Sequence, residues 1–312
     1  MKVFRGLPNL ESRRPCALTI GNFDGVHRGH QALLAELRAA ADRLNLPVCV
    51  MTFEPHPREF FQPASAPTRV ANLRDKLEGL RACGVDRVIV EHFNTRFASL
   101  TATQFIQNIV VDGLHTRWIM VGDDFRFGAK RQGDFALLQS AGQQFGFEVQ
   151  ALNTVLENGT RISSSAVRSA LHAGDLQTAA TLLGHPYFIS GHVVHGLKLG
   201  RTLGYPTINL RVTHKRPALT GIFVVQVHGI QPHPVAGAAS LGVRPTVDDS
   251  GRVLLEVHLL DLNQDLYGKL LRVEFLHKLR DEEKFDSLEQ LTRHIAADEM
   301  AARTWFMRNK SN

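Results

Sequence analysis

Cys16-Ala-Leu-Thr-Ile-Gly-Asn-Phe-Asp-Gly-Val-His-Arg-Gly-His30 passes from an apolar run into a glycine-punctuated turn, and a helical pattern follows it. Cys16–Ile20 is short, apolar and stopped by Gly21, so it reads as a buried strand. In Gln31–Leu44, Leu33, Leu34, Leu37, Ala40, Ala41 and Leu44 fall on one helical stripe. The rhythm then repeats. Val48–Phe53, Val85–Val90, Arg117–Val121 and Phe147–Leu152 read as strands, and 72–83, 102–111 and Asp134–Gln144 as helices. Repeated β-α units predict a Rossmann-like α/β fold, with a parallel sheet covered on both faces. Ligands then belong at the loops leaving the C-terminal strand ends.

Beyond about Gly184 the pattern changes to short strands joined by Gly, Pro and Asp turns. Tyr187–Val194, Gly221–His228, Val235–Leu241, Val253–Leu260 and Leu270–Leu276 belong to a set of five or six. Asp286–Met307 is a closing amphipathic helix, with Leu288, Leu291, Ile295 and Met300 among its apolar positions. The expectation is a small β-barrel capped by that helix. Gly184-His-Pro186 interrupts a helical segment, which sets the expected domains at 1–185 and 186–312.

A length of 312 residues fits two domains of ordinary size, and 44% hydrophobic residues suit packed cores. No run of 18 apolar residues occurs, and the start lacks the continuous apolar stretch of a secretory signal. Cys16, Cys49 and Cys83 are odd in number and far apart, as expected of reduced thiols in a cytoplasmic chain. The net charge of +6 is spread evenly, with 20 basic and 17 acidic side chains in 1–185 and 16 and 13 in the remainder. Without a basic patch or arm, small anionic substrates are expected as partners rather than nucleic acid or a membrane. Oligomeric state is not legible.

The Gly21–His30 turn allows close backbone approach, and the helix start after it presents free N–H groups to phosphate. His27 and His30 are three apart and can share a helical face, where two imidazoles could donate to oxygens gaining charge during transfer. The same segment also reads as a turn with solvent histidines, or as a metal pair needing further ligands. Thr52-Phe-Glu-Pro-His-Pro57 and Val121-Gly-Asp-Asp-Phe-Arg-Phe-Gly128 follow strands and face the same cleft. Phe125 and Phe127 read either as core aromatics or as flanks for a flat ring. Arg161-Ile-Ser-Ser-Ser-Ala-Val-Arg168 offers serines that can cap a helix or bind phosphate, with Arg168 as a bidentate charge.

In the second part, Gly196-Leu-Lys-Leu-Gly-Arg-Thr-Leu-Gly-Tyr-Pro-Thr-Ile-Asn209 is not a P-loop. Thr207 and Asn209 are two apart and share a face of an extended chain, as hard oxygen ligands for Mg²⁺ or simply as the entry into a strand. Alternation in Val253–Leu260 puts Val253, Leu255, Val257 and Leu259 on one face, and Glu256 and His258 on the other. Glu256 could accept a proton from an attacking hydroxyl or pair with an arginine, whereas His258 reads as structural.

The N-terminal segments, with G-x-F-D-x-x-H-x-G-H first among them, resemble the HxGH nucleotidyltransferase superfamily. Within it they resemble the FMN adenylyltransferase module of bacterial bifunctional riboflavin kinase/FAD synthetases. G-x-x-L-G-R-x-L-G-Y-P-T-x-N, G-x-R-P-T, E-x-H-L-L-D and D-L-Y-G over residues 196–268 resemble the riboflavin kinase module. The resemblance implies a six-stranded barrel and two ATP-dependent reactions: riboflavin to FMN, then FMN to FAD with release of pyrophosphate. It implies ATP or phosphate contacts at Gly21, Phe23, Asp24, Gly29, Asp124, Ser163, Ser164 and Ser165, with His27, His30 and Arg168 acting in adenylyl transfer. Flavin would lie against Phe53, Phe125 and Phe127. In the barrel it implies ATP at Gly196, Lys198, Gly200, Arg201, Thr207 and Asn209, Mg²⁺ at Thr207 and Asn209, and Glu256 as base. Ser165 stands where the family often has Thr, and Ser240 and Val247 depart from its usual N-x-G-x-R-P-T-F.

Overall fold

The computed structural model describes residues 1–122, 124–152, 156–157, 160–196, 203–212, 216–243 and 253–309. The chain clusters into two compact units. One comprises Met1–Pro67 and Lys76–Ile162; the other comprises Thr68–Asp75 and Ser163–Asn312.

The first unit is built on six parallel strands: β1 (Lys2–Arg5), β2 (Cys16–Ile20), β3 (Val48–Glu54), β4 (Arg87–His92), β5 (Thr116–Gly122) and β6 (Glu148–Leu152). Their order is β1-β4-β3-β2-β5-β6. Every residue of β2 and the first five of β3 are buried, as expected of strands covered on both faces. The chain starts its main winding at β2, adds β3 and β4 to one side, then crosses to β5 on the other. Strand order therefore reverses between β2 and β5, where an open parallel sheet leaves a ligand crevice outside its carboxyl ends. The turn after β2 leads into α1 (Arg28–Arg43), which buries Leu33, Leu34, Leu37, Ala40 and Ala41.

Shorter elements follow: α2 (Pro57–Phe61), α3 (Leu73–Ala82), α4 (Thr95–Ala98), α5 (Ala102–Phe105) and α6 (Phe135–Phe145). The single helix expected over 102–111 is instead α5 continued by a π-turn at Ile106–Val111. Strand β1 has no counterpart in the sequence reading. Its four residues lie at the sheet edge, mostly exposed, so they carry no apolar periodicity. A two-stranded ribbon, β7 (Leu156–Glu157) and β8 (Thr160–Arg161), precedes α7 (Ser164–His172) and α8 (Leu176–Leu183).

The second unit is dominated by a closed antiparallel barrel. Its strands are β9 (Phe188–Val194), β10 (Thr207–Arg211), β11 (Gly221–His228), β12 (Val235–Val243), β13 (Val253–Leu259) and β14 (Leu270–Arg280). They close in the order β10-β13-β12-β11-β14-β9. Period-two alternation fills the interior: Val253, Leu255, Val257 and Leu259 of β13 are buried, with Phe223, Val225, Val273 and Phe275 from other strands. Helix α9 (Leu288–Asn309) packs outside, where Ala302, Trp305 and Phe306 meet Val224 and Leu260. Leu288 and Met300, expected on its apolar face, are 58% and 70% exposed. The helix packs through Ala302 and keeps Leu291 and Ile295 for a cleft.

Candidate active sites

The Gly21–His30 turn sits at the C-terminal end of β2, beside the point where strand order reverses. It bends sharply: Phe23 and Val26 take φ of 48° and 41°, the left-handed region that side chains ordinarily avoid, and Gly25 takes 84°. That coil buries Phe23, Asp24 and His27. His27 is the N-cap of α1, and its ring stacks on that of His30 with centroids 3.7 Å apart. Phe23 closes on the other side of His30, at 4.9 Å. Gly29 leaves little room at this point, because a Cβ there would stand 3.2 Å from the His27 ring and 3.3 Å from the Ile162 carbonyl oxygen.

His30 keeps partial exposure, but its Nδ1 is enclosed and makes no hydrogen bond. Desolvation first, then the neighbouring His27 and Lys76, hold its pKa well below the usual histidine value. The ring is therefore neutral at neutral pH. The unfolded chain binds a proton at this site near pH 6.5, and the folded chain does so only at lower pH. Stability from His30 is thus complete above about pH 6.5 and is lost as pH falls below that value. Melting temperature followed from pH 7.5 to 5 should fall more steeply for the wild-type chain than for His30→Gln; equal slopes would contradict this assignment.

Lys76 is a residue that the sequence reading passed over. It is 1% exposed, and its Nζ lies 3.4 Å from Thr52 Oγ1, which donates to the Asn22 carbonyl at 3.1 Å. The signal was present: Leu73, Lys76, Leu77 and Leu80 share one stripe of α3, so Lys76 occupies a core position.

The aromatic segments gather near the same strand ends. Phe125 and Phe127 stack at 5.4 Å, and Phe127 is buried against Phe105 at 5.3 Å. Phe53 meets Phe93 and Phe97 at 5.7 and 5.6 Å, and Phe61, next along the cluster, is 62% exposed. His56 is committed locally, capping α2 in a reciprocal capping box with Glu59. Asp124 is exposed at the turn after β5, and Gly21 packs against Phe23.

Ser163–Arg168 belongs to the second unit. Ser163 is the N-cap of α7, accepting from the Ala166 amide at 3.2 Å. Ser164 and Ser165 occupy its first turn, and Arg168 Nε donates to the Thr68 carbonyl at 2.7 Å.

In the barrel, Asn209 faces Glu256 across the β10–β13 pairing, and Glu256 faces Ser240 across β12–β13. Cross-strand partners point to one side of a sheet, so these three form a row on the outer face. Thr207 and His258 form the next row, with His258 Nδ1 3.0 Å from the Pro206 carbonyl oxygen. Asn209 Oδ1 is buried without a hydrogen bond. Gly196 presses on this amide so closely that a Cβ there would lie 2.3 Å from Asn209 Nδ2. Lys198, Gly200 and Arg201, and the Arg244–Val247 stretch, lie outside the described residues.

A cleft of about 270 Å³ opens beside Glu256, between the barrel wall and α9 with its lead-in. Tyr205, Ile222, Phe285, Leu291 and Ile295 give it apolar and aromatic walls. Arg280 at its edge is engaged by Asp298 through two bonds of 2.9 and 2.7 Å, and Ser240 Oγ donates to Glu282 at 3.1 Å.

Among the described residues no helix is long and apolar enough to cross a membrane, and no three His, Cys, Asp or Glu side chains gather as metal ligands. Residues 9–166 match the family model described as FAD synthetase, and residues 183–306 match the one described as riboflavin kinase. The bifunctional riboflavin kinase/FMN adenylyltransferase of Escherichia coli (strain K12) is 50% identical over 308 residues, 98% of each chain. That of Pseudomonas fluorescens is 51% identical over 97% of each. A crystal structure named as a macrolide-efflux protein from Streptococcus pneumoniae superposes with a TM-score of 0.75 at 32% identity, over 97% of this chain and 98% of that one. The parallel sheet, the closed barrel and two matched domains in this order agree: the chain belongs to the bifunctional riboflavin kinase/FMN adenylyltransferase family.

Proposed function

We propose that residues 186–312 phosphorylate riboflavin to FMN with ATP, and that residues 1–185 join FMN to the adenylyl group of a second ATP, giving FAD and pyrophosphate. The observation that carries this reading is that each fold brings together a central pair of residues from its own motif set. His27 stacks on His30 at the sheet's switch point, and Glu256 stands beside Asn209 at the barrel cleft.

In the barrel, the aromatic-walled cleft takes the flavin ring. Glu256 removes the proton of the ribityl terminal hydroxyl as that oxygen attacks the γ-phosphorus of ATP, and ADP leaves. Thr207 and Asn209 would hold Mg²⁺, a fit supported by the unsatisfied, buried Asn209 oxygen. When bound, the ion would offset negative charge on the ATP phosphates. Gly196, with Lys198, Gly200 and Arg201, completes the ATP contacts.

In adenylyl transfer, an FMN phosphate oxygen attacks the α-phosphorus of ATP and pyrophosphate leaves. That oxygen is already ionised and needs no general base, so the protein's part is positioning and charge stabilisation. His27, His30 and Arg168 act on the phosphates, with Gly21, Phe23, Asp24, Gly29, Asp124 and Ser163–Ser165 around the nucleotide. The flavin ring lies on Phe53 and Phe125, and Phe127 supports Phe125 from the core. Small molecules are then the partners, without nucleic acid or membrane. A cytoplasmic setting fits Cys16, Cys49 and Cys83, all free thiols.

Chromatography of the flavins formed from riboflavin, ATP and Mg²⁺ tests the proposal. Both FMN and FAD are expected. FMN alone would overturn the assignment of residues 1–185, and absence of both would overturn the whole reading.

A further inference from the structure

We propose that Lys76 is a positioning residue for adenylyl transfer, acting through Thr52 to hold the Gly21–Gly25 coil in its working shape. Lys76 is among the largest fully buried side chains among the described residues, an unusual fate for an ammonium group that burial penalises heavily. The contacts form a short relay: Lys76 Nζ to Thr52 Oγ1 at 3.4 Å, then Thr52 Oγ1 to the Asn22 carbonyl oxygen at 3.1 Å. Thr52 has one hydroxyl proton, and it is given to Asn22, so the Thr52 oxygen is left to accept from Lys76.

Asn22 immediately precedes Phe23, whose φ of 48° is strained for a side chain bearing Cβ. Such a coil persists only when its surroundings over-determine it, and the relay is a fixed tie on the peptide group that leads into Phe23. Phe23 in turn packs 4.9 Å from His30. Burial first, then His27 and Lys76, lower the His30 pKa, so Lys76 also bears on that ring through its charge. The Lys76–Thr52 tie thus reaches the reacting groups by backbone position and by charge, without touching substrate itself.

This inference rests on Gly21–His30 being the adenylyl-transfer site, and the test separates the two. FAD formation from FMN and ATP would be measured in the full-length chain as Thr52→Val, Thr52→Ser, Lys76→Met and the Lys76→Met/Thr52→Val double variant. FMN formation from riboflavin serves as the internal control. Thr52→Val keeps the side-chain shape and removes the relay; a loss of about tenfold in kcat is expected, with KM for FMN unchanged. Thr52→Ser restores the hydroxyl and should keep more than half the rate. The double variant should be no slower than Lys76→Met alone, because both changes break one relay. Thr52→Val within twofold of wild type would overturn the proposal, as would Thr52→Ser as impaired as Thr52→Val, or losses that multiply in the double variant. Should Lys76→Met fail to fold, the Val and Ser variants decide the matter alone. A wild-type chain that makes FMN but no FAD would overturn the underlying site reading instead.

Discussion

His30→Ala should lower FAD formation by about 10²–10³-fold while riboflavin is still converted to FMN at the wild-type rate. The size follows from removing one preorganised donor in a site where charge develops on phosphate oxygens, by analogy with the loss of an oxyanion-hole donor. His30 fits that role because it is neutral, enclosed at Nδ1 and held between Phe23 and His27. The FMN control matters because truncating an imidazole packed on both sides also leaves a void. A global folding failure would remove both activities, whereas the account requires the loss of one. Steady-state rates for both reactions on one preparation check it, and equal loss of both would contradict the assignment.

Glu256→Ala should abolish riboflavin phosphorylation, by about 10²–10⁴-fold, and leave FMN adenylylation intact. That range is the usual contribution of a general base. The position suits that role, since Glu256 lies on the outer, cleft-facing side of β13, while its sequence neighbours Leu255 and Val257 are buried in the barrel. Truncation therefore removes a carboxylate from the cleft lining rather than from the core, and little stability should be lost. Glu256→Gln should fail equally, since it preserves shape and hydrogen bonding but cannot take the proton. A Glu256→Gln chain phosphorylating riboflavin at full rate would refute the base assignment.

The elements that were legible in the sequence are those with strong periodicity. Cys16–Ile20 and Gly221–His228 have the same ends in the structure as in the sequence reading, because each is a dense apolar run bounded by glycine or polar turns. Strand β1 was not legible, since an exposed four-residue edge strand is specified by its partner β4 rather than by its own pattern. The π-turn after α5 was hidden for a related reason: a change of hydrogen-bond register leaves apolar spacing nearly intact. In α9, Leu288 and Met300 were misleading because composition marks an apolar residue without saying whether anything covers it.

The sites divide in the same way. His27 and His30 are three apart on one turn, so their stacking could be anticipated from spacing. Glu256 was visible as a charge interrupting an apolar strand. Its neighbour Asn209 is remote in sequence, and only the β10–β13 register brings the two together. Lys76 is the instructive omission. Charged residues are ordinarily read as solvated, and the relay to Thr52 joins a helix to a strand that no local pattern connects.

The central claim is that one chain carries two separable activities, adenylyl transfer in residues 1–185 and riboflavin phosphorylation in residues 186–312. Mixing purified His30→Ala with Glu256→Ala, in equal amounts, with riboflavin, ATP and Mg²⁺, tests this most directly. Neither variant alone should convert riboflavin to FAD at more than about a hundredth of the wild-type rate. In the mixture, FMN released by the first variant should be adenylylated by the second, and FAD should appear after a lag. Absence of FAD from the mixture, with both variants folded and wild type active, would contradict the account.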